Sequence, residues 1–244
     1  LTTATNGRVI TVRSHEIISR VTAQASRRPG LAAVVLDLLD FDGDEIYFSD
    51  VPALQGKKYS DALLAFNEAA VIGISRQGKT MVNPAMDTVI QAGDQLIAIA
   101  EDDDKVIYTG TREDIESIQV VAKQRDADKA ESLLIIGWSS MGRAVLTELS
   151  EFLPAGSKVK IVAQTRYVDP VELENLVFGS IEVSFVPISG DIDDLIAIAK
   201  DQHYDEVIVL GYRTVISESE ADAQTMLTML QMNQLFVTEG NGVE

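Results

Sequence analysis

Cysteine is absent from this 244-residue chain, and histidine occurs only twice. Without cysteine the chain has no disulfide bond, no thiolate metal site and no cysteine nucleophile. Because His15 and His203 are the only histidines, we do not expect a zinc site built from several histidines of one chain. The lack of cysteine is consistent with a protein of the reducing cytosol.

Basic residues are also scarce, since 20 lysines and arginines stand against 38 aspartates and glutamates, for a formal net charge of −18. Nucleic acids and anionic membrane surfaces are bound through clusters of lysine and arginine. We therefore expect no nucleic-acid partner. The surplus of acid is explained either by solubility alone or by the binding of cations.

No apolar run approaches the roughly 18 to 20 residues that span a bilayer. The best stretch, residues 31–39, is interrupted by Asp37. The first residues lack the apolar core of a signal peptide, and the chain does not begin with methionine. We expect a piece of a longer protein, with any membrane segment outside this sequence.

Motifs that would identify an enzyme are missing from the sequence. It contains no G-x-S-x-G nucleophile elbow, no G-x-x-x-x-G-K-[ST] phosphate loop and no H-E-x-x-H zinc motif. Nothing in the pattern singles out one pair among the 38 carboxylates as an acid and a base. We therefore predict a protein that is not an enzyme.

Three patterned segments and a connector organise the chain. Residues 1–45 hold a predicted strand, a helix and an apolar stretch, too few elements for a complete α/β domain, and look like the end of a preceding Rossmann unit. Residues 46–104 predict a strand, a helix over 61–67 capped by Ser60, and then antiparallel strands with a hairpin turn at Gln77-Gly78.

Residues 105–130 are charged and weakly patterned, which indicates a linker. From there, residues 131–244 alternate apolar strands with helices. Repeated alternation of this kind predicts a parallel sheet with helices on both faces, a doubly wound Rossmann-like domain.

The first turn of that domain, residues 137–142, reads G-W-S-S-M-G and is the candidate cofactor-binding site. Against the dinucleotide fingerprint G-x-G-x-x-G, Gly137 and Gly142 align, but Ser139 replaces the glycine that lets the backbone approach a pyrophosphate. The second strand ends in Gln164 where an acid would bind the ribose. The two glycines also fit a purely structural role in the turn, and NAD or another nucleotide is the lesser expectation.

The one tryptophan, Trp138, lies in the same turn. We expect it to seal the ligand crevice or to pack on a neighbouring domain. The last predicted helix carries a stripe of methionines and leucines, which is typical of a core and also compatible with an oligomer interface.

Two acidic runs are candidate cation sites. Glu101, Asp102, Asp103 and Asp104 follow a buried strand, and four adjacent carboxylates repel one another unless water or a cation neutralises them. Calcium prefers oxygen ligands of this kind, so the run is the candidate calcium site, with a solvated strand end as the alternative. The run at residues 40–45 lacks the spacing of an EF-hand.

Several stretches of the chain resemble a known family. The middle segment is similar to the C-terminal subdomain of RCK (regulator of potassium conductance) and TrkA-type proteins. The whole pattern resembles the CASTOR/POLLUX ion channels of plants and their bacterial relatives. The stretches that carry this resemblance are H-E-I-I-S-R, L-Q-G-K-K-Y-S-D-A-L, V-I-G-I-S-R-Q-G-K, Q-A-G-D-Q-L-I-A-I-A-E-D-D-D, I-I-G-W and A-D-A-Q-T-M-L-T-M-L.

The resemblance implies that the chain is a bacterial homologue of these channels. It implies a tetrameric gating ring of RCK units, joined to a membrane pore of the same chain, on the cytoplasmic side of the membrane. Effector binding, calcium in the plant members, would regulate a potassium or calcium conductance. The alternative is a nucleotide-binding regulatory subunit of a TrkA/Ktr-type potassium uptake system, against which Ser139 and Gln164 count.

Overall fold

The computed structural model describes residues 13–28, 30–40, 42–110 and 129–238, with side chains described as far as Leu235. Two compact units make up the chain. One contains the first helix together with the C-terminal α/β region, and the other contains the middle of the chain from Ala33 onward.

Two helices open the described chain. Helix α1 (Ser14–Arg27) ends just before Pro29-Gly30, in agreement with the helix predicted over residues 16–28. Helix α2 (Leu31–Asp37) follows and has no buried residue. The strand predicted at residues 8–13 lies almost wholly outside the described residues, as does most of the predicted linker.

The middle unit is an antiparallel sheet with the strand order β1-β4-β2-β3. The Gln77-Gly78 hairpin predicted from the sequence joins β2 to β3, with positive φ angles of 52° and 77°. Its core is built from buried Leu54, Tyr59, Ile74 and Leu96. The elements are β1 (Glu45–Ser49), a 3₁₀ turn (Pro52–Leu54), α3 (Tyr59–Ala62), β2 (Ala70–Arg76), β3 (Lys79–Val82), β4 (Gln95–Ala100) and a second 3₁₀ turn (Asp103–Lys105).

Helix α3 is shorter than the helix predicted over residues 61–67, and Ser60 lies inside it instead of capping it. The carboxylate of Asp61 accepts a hydrogen bond from the backbone N–H of Lys58 at 3.0 Å, which fixes the first turn. Beyond the helix, Phe66 forms a β-bridge with Tyr108, and their ring centroids lie 6.4 Å apart in an edge arrangement.

The C-terminal unit contains a parallel sheet with the strand order β7-β6-β5-β8. The order is that of a doubly wound sheet, in which the chain starts in the middle and reverses direction between β5 and β8. Its elements are β5 (Ser132–Ile136), α4 (Gly142–Phe152), β6 (Lys158–Gln164), α5 (Pro170–Glu174), β7 (Glu182–Ile188), α6 (Ile192–Ala199), β8 (Glu206–Val209) and α7 (Glu218–Thr238).

Helices cover both faces of this sheet, so the predicted doubly wound α/β fold is confirmed. On one face, α1, α4 and α5 contribute buried Ala23, Leu149 and Leu173. On the other face, α6 and α7 contribute Leu195 and Met232. The strands between them are apolar on both sides, as expected for parallel strands that helices cover.

Helix α1 packs on α4 and β8 of this unit. Arg27 donates two hydrogen bonds to the carboxylate of Glu131, at 2.7 and 2.9 Å. Arg20 donates to Glu148 of α4 at 3.0 Å. The assignment of residues 1–45 to the end of a preceding Rossmann unit stays a prediction, and in this structure their first helix lies on the C-terminal sheet.

A candidate ligand crevice

A cavity of about 250 Å³ lies at the carboxyl ends of the parallel strands. The ends of strands β5 to β8 line it, together with residues of α6 and of helix α7. Open α/β sheets bind their ligands at this place, where the chain reverses direction between neighbouring strands. The cavity is therefore the candidate functional site of the C-terminal unit.

Gly137 ends strand β5 with a φ of +83°, a conformation that side chains rarely tolerate. A Cβ atom at this position would overlap the carbonyl oxygen of Leu210, which follows β8. The glycine is thus required by the close approach of the two strand ends, with or without a ligand. Gly137 lines the crevice, as predicted for the first turn.

Trp138 points into the core on the α4 side of the sheet and is not part of the crevice lining. A Cβ atom on Gly142 would lie 2.6 Å from its ring, so the second glycine of the turn makes room for the tryptophan. The expectation that Trp138 seals the crevice is therefore wrong, and its packing on a neighbouring domain stays a prediction. Burial of its large apolar ring in this core stabilises the fold more than exposure of the ring at the crevice would.

Ser139 occupies the place where a phosphate would approach the start of helix α4. Its hydroxyl accepts a hydrogen bond from the backbone N–H of Met141 at 3.3 Å. Its carbonyl accepts from the N–H of Gly142 at 2.9 Å. These two N–H groups are the donors that helix starts commonly offer to phosphates, and here the turn itself uses them.

Gln164, at the end of β6, is brought to the crevice by its strand. Its backbone N–H donates to the hydroxyl of Tyr212 at 2.9 Å, and its Oε1 accepts from Arg166 Nε at 2.8 Å. Gly190 leaves space for this amide, because a Cβ there would lie 2.9 Å from Oε1. The residue predicted as a ribose ligand is thus held by protein groups.

Arg166 and Tyr212 line the site, and both contact the ring of Tyr167. The guanidinium of Arg166 lies over the ring of Tyr167 at 4.5 Å, and the rings of Tyr167 and Tyr212 are 4.7 Å apart. Burial raises the pKa of Tyr212 above its usual value, although its bond with Gln164 acts in the opposite direction. Sequence analysis missed Arg166 and Tyr212, because neither belongs to a motif.

Polar residues from α6 and α7 complete the lining. Asp191 caps α6 by accepting from the N–H of Asp193 at 3.1 Å. The hydroxyls of Thr225 and Thr228 donate to carbonyls one turn earlier in α7, at 2.8 and 2.9 Å. Gln224 also lines the crevice, and its buried Oε1 has no hydrogen-bond partner in the described structure.

Of the five predicted cofactor-binding residues, Gly137 and Gln164 line the crevice. Trp138, Ser139 and Gly142 do not. The lining holds one arginine, one aspartate, several amides and hydroxyls, and a larger set of aliphatic side chains. Such a site can bind a small organic molecule through apolar contact and a few polar groups.

The predicted calcium ligands lie in the other unit and are all exposed. Asp102 accepts from the N–H of Asp103 at 2.7 Å and caps a short 3₁₀ turn. A hydrogen bond to Glu45 raises the pKa of Tyr47 to about 12, with Asp102 and Asp103 contributing charge. In the part of the chain that the structure describes, no three acidic or histidine side chains are grouped to hold a metal. The calcium site stays a prediction.

Comparison with solved structures gives the class of the fold. The human SLO3 gating ring matches with a TM-score of 0.54 and 14% identity, over 86% of this chain and 46% of that one. The arrangement of strands and helices is therefore similar to that of this gating ring, which confirms the fold class expected from the sequence.

Residues 15–116 match the family model described as Castor and Pollux, part of voltage-gated ion channel. The probable ion channel CASTOR of Oryza sativa subsp. japonica is 28% identical over 247 residues, which cover 93% of this chain and 26% of that protein. The ion channel CASTOR of Lotus japonicus is 41% identical over 99 residues, 39% of this chain and 12% of that protein.

This chain is accordingly a relative of the CASTOR and POLLUX ion channels, as the sequence resemblance predicted. It spans about a quarter or less of the length of these relatives. They are ion channels by description, not enzymes. No helix among the described residues is long and apolar enough to cross a membrane.

Proposed function

We propose that this chain is the regulatory region of a cation channel and that it has no enzymatic activity of its own. It would lie on the cytoplasmic side of the membrane and act on a pore elsewhere in the full-length protein. The relationship to CASTOR and POLLUX channels and the gating-ring fold support this role. Potassium and calcium are the candidate conducted ions.

One observation carries the sensing part of the proposal. The crevice is large enough for a small ligand, while the turn at residues 137–142, here called the phosphate cradle, is closed because Ser139 uses its N–H groups. The cavity lies at the strand ends, whereas at the first turn the hydroxyl of Ser139 accepts a bond from an N–H group that a pyrophosphate would use. An effector that binds better when α7 is in one position shifts the population toward that position, by no more than its difference in affinity. The crevice is thus a sensor site and α7 the element that responds.

Helix α7 also supports assembly of several copies. Met226, Met229 and Leu230 are exposed on its outer side, at 66%, 56% and 63%. A cluster of exposed large apolar side chains is typical of a surface that contacts a partner. After Asp222 the helix carries no charge, so copies of this acidic chain can meet there with little repulsion. We propose a homo-oligomeric ring, with a tetramer as the expected form.

The alternative function, a nucleotide-binding subunit of a TrkA/Ktr-type potassium uptake system, requires an open cradle at the first turn. The hydrogen bond of Ser139 and the side chain of Gln164 argue against it. Calcium binding at residues 101–104 remains a separate proposal, tested by whether neutralising these acids abolishes a calcium-induced shift in melting temperature.

The channel proposal is tested with the full-length protein in liposomes. A bulky substitution in the crevice, Thr228→Trp, should change cation flux several-fold, because it fills the cavity under α7. Thr147→Trp, at an exposed position of α4, is the matched control, since the hydroxyl of Thr147 makes the same bond to a backbone carbonyl one turn earlier but lies outside the crevice. Absence of cation flux from a folded, assembled protein would reject the channel role.

A further inference from the structure

We infer that the crevice binds a small zwitterion of the amino-acid class, with its carboxylate at Arg166, its ammonium group at Asp191 and its side chain on the aliphatic floor. The inference rests on the proposed function, because it names the effector class of the same crevice.

Size limits the ligand first. Sites for drug-sized molecules enclose about 300–1,000 Å³. The crevice, at about 250 Å³ and partly open to solvent, is smaller than that range, which favours a compact ligand over a dinucleotide. A single amino acid is of the right size.

The floor of the crevice indicates an apolar portion in the ligand. Aliphatic side chains from the ends of β5, β7 and β8 and from α6 and α7 line it. They are Ile136, Ile188, Ile192, Leu195, Val209, Leu210 and Leu227. Contact with this floor would remove apolar ligand surface from water, which is the main favourable term in binding small molecules.

Arg166 supplies the cationic end of the site. Its Nε is bound to Gln164 and its plane lies on Tyr167, so the group is held in one orientation. Its two terminal nitrogens have no protein partner among the described residues. A guanidinium fixed in this way is arranged to donate two parallel hydrogen bonds to a carboxylate.

Asp191 supplies the anionic end. One of its oxygens accepts the capping bond from Asp193, and exposed Asp193 and Asp194 add negative charge nearby. The hydroxyls of Thr225 and Thr228 have already donated their protons to α7, so only their lone pairs remain for a ligand. An ammonium group, which donates three hydrogen bonds and accepts none, suits these acceptors.

The same arrangement disfavours phosphates. A phosphate at Arg166 would share the cavity with the Asp191 carboxylate, while the N–H groups at the start of α4 are occupied by Ser139. A zwitterion can pair its negative group with Arg166 and its positive group with Asp191. The lining therefore selects against anionic nucleotides and for a compact zwitterion.

The test is calorimetry on the 244-residue chain, first with the standard amino acids. If L-leucine is the binder, 3-methylbutylamine and 4-methylpentanoate are its analogues without the carboxylate and without the amine. We expect each analogue to bind at least about tenfold more weakly, since each loses a charged hydrogen-bonding group. Binding of every analogue as tightly as the amino acid, or of no amino acid at all, overturns the inference.

Two variants with matched controls locate the site. Asp191→Asn keeps the helix cap and removes only the charge, and Asp169→Asn does the same at the cap of α5, away from the crevice. Arg166→Gln is paired with Arg213→Gln, which breaks only an exposed ion pair with Asp222. We expect at least a tenfold loss of affinity, of order 1.4 kcal/mol, in the crevice variants alone. Equal losses in the controls contradict the assignment.

Failure of this inference and failure of the proposed function can be told apart. If amino acids do not bind but Thr228→Trp still changes cation flux, the effector has a different chemistry and the regulatory role stands. If amino acids bind but the full-length protein conducts no cation, the crevice assignment stands and the channel role is wrong.

Discussion

The two units of the molecule differ in how they treat buried polar groups. In the middle unit, the side chain of Asp94 is 2% exposed and accepts three hydrogen bonds, at 2.9 and 2.7 Å from Arg76 and at 2.7 Å from the N–H of Gln91. In the C-terminal unit, one oxygen of buried Glu206 has no partner, and the same is true of Gln224. Both orphaned atoms identified in the described residues lie in that unit.

The difference indicates which unit responds to its surroundings. Buried polar groups are normally paired. When a proton, a ligand or a movement supplies the missing partner of an unpaired group, the folded protein is stabilised. In the middle unit the buried carboxylate of Asp94 is fully hydrogen-bonded. In the C-terminal unit, which has a crevice and two unpaired oxygens, a ligand or a movement that pairs these oxygens would stabilise the fold.

The largest expected effect comes from the strand end at Gly137. Replacing it with alanine should destabilise the C-terminal unit by more than about 3 kcal/mol, because the new Cβ atom overlaps the Leu210 carbonyl in addition to the strain at positive φ. Urea denaturation followed by the fluorescence of Trp138 measures the change.

Gly156→Ala is the control for this prediction. Gly156 also has a positive φ, of 84°, but the nearest atom to an added Cβ is 4.0 Å away. Only the backbone strain of about 1 kcal/mol should remain. Equal losses in the two variants would show that strand contact at Gly137 contributes nothing.

The next effect separates the two units directly. Asp94→Asn should destabilise the middle unit by about 3 kcal/mol, since it leaves Arg76 without its buried carboxylate partner. Arg76 also lowers the pKa of Asp94, so this stabilisation is complete above the ordinary aspartate value of about 3.9 and is lost as the pH falls through the lowered one.

Thermal denaturation between neutral and acid pH checks both parts. The wild-type middle unit should lose stability on acidification, and the Asp94→Asn variant should show a weaker dependence. Asp61→Asn, at an exposed helix cap, is the matched control and should behave like the wild type. A variant as stable as the wild type at neutral pH is incompatible with this view of the ion pair.

A smaller effect, of opposite sign, is expected at Glu206. Burial raises its pKa, while a hydrogen bond with Ser26 and the charge of Arg27 lower it and Glu131 raises it further. The folded state therefore holds the proton more tightly, so Glu206 favours folding most at acid pH and progressively less as the pH rises through the raised value. Glu206→Gln should stabilise the unit by about 1 kcal/mol at neutral pH.

Hydrogen exchange in α1 provides the most local readout, because Arg27 of that helix is bonded to Glu131 and its charge acts on Glu206. Protection of α1 should increase in Glu206→Gln and stay unchanged in Glu182→Gln, an exposed glutamate on strand β7 at the opposite edge of the sheet. A destabilised Glu206→Gln variant would mean that the ionised carboxylate is well paired after all, and the contrast with Asp94 would disappear.

Regular patterns allowed much of the fold to be predicted. Alternating apolar strands and helices identified the parallel sheet, and Gln77-Gly78 identified the hairpin, because both signals depend on local spacing. The helix predicted over residues 61–67 was too long, since the pairing of Phe66 with Tyr108 joins residues far apart in sequence. The docking of α1 on the C-terminal sheet is equally non-local.

The site was only half predictable for the same reason. Gly137 and Gln164 were identified because the fingerprint places them at strand ends. Arg166, Asp191 and the threonines of α7 belong to no motif and meet only after the strands and α7 have packed. The direction of Trp138 depends on the space that Gly142 leaves, which no pattern of single residues specifies.

The closed phosphate cradle is tested most directly by titrating the chain with NADH while following Trp138, the one tryptophan, which lies in the turn itself. We predict no saturable quenching of its fluorescence, because Ser139 occupies the N–H groups that a pyrophosphate would need. Saturable quenching that Gln164→Ala weakens would contradict the account and restore the crevice as a dinucleotide site.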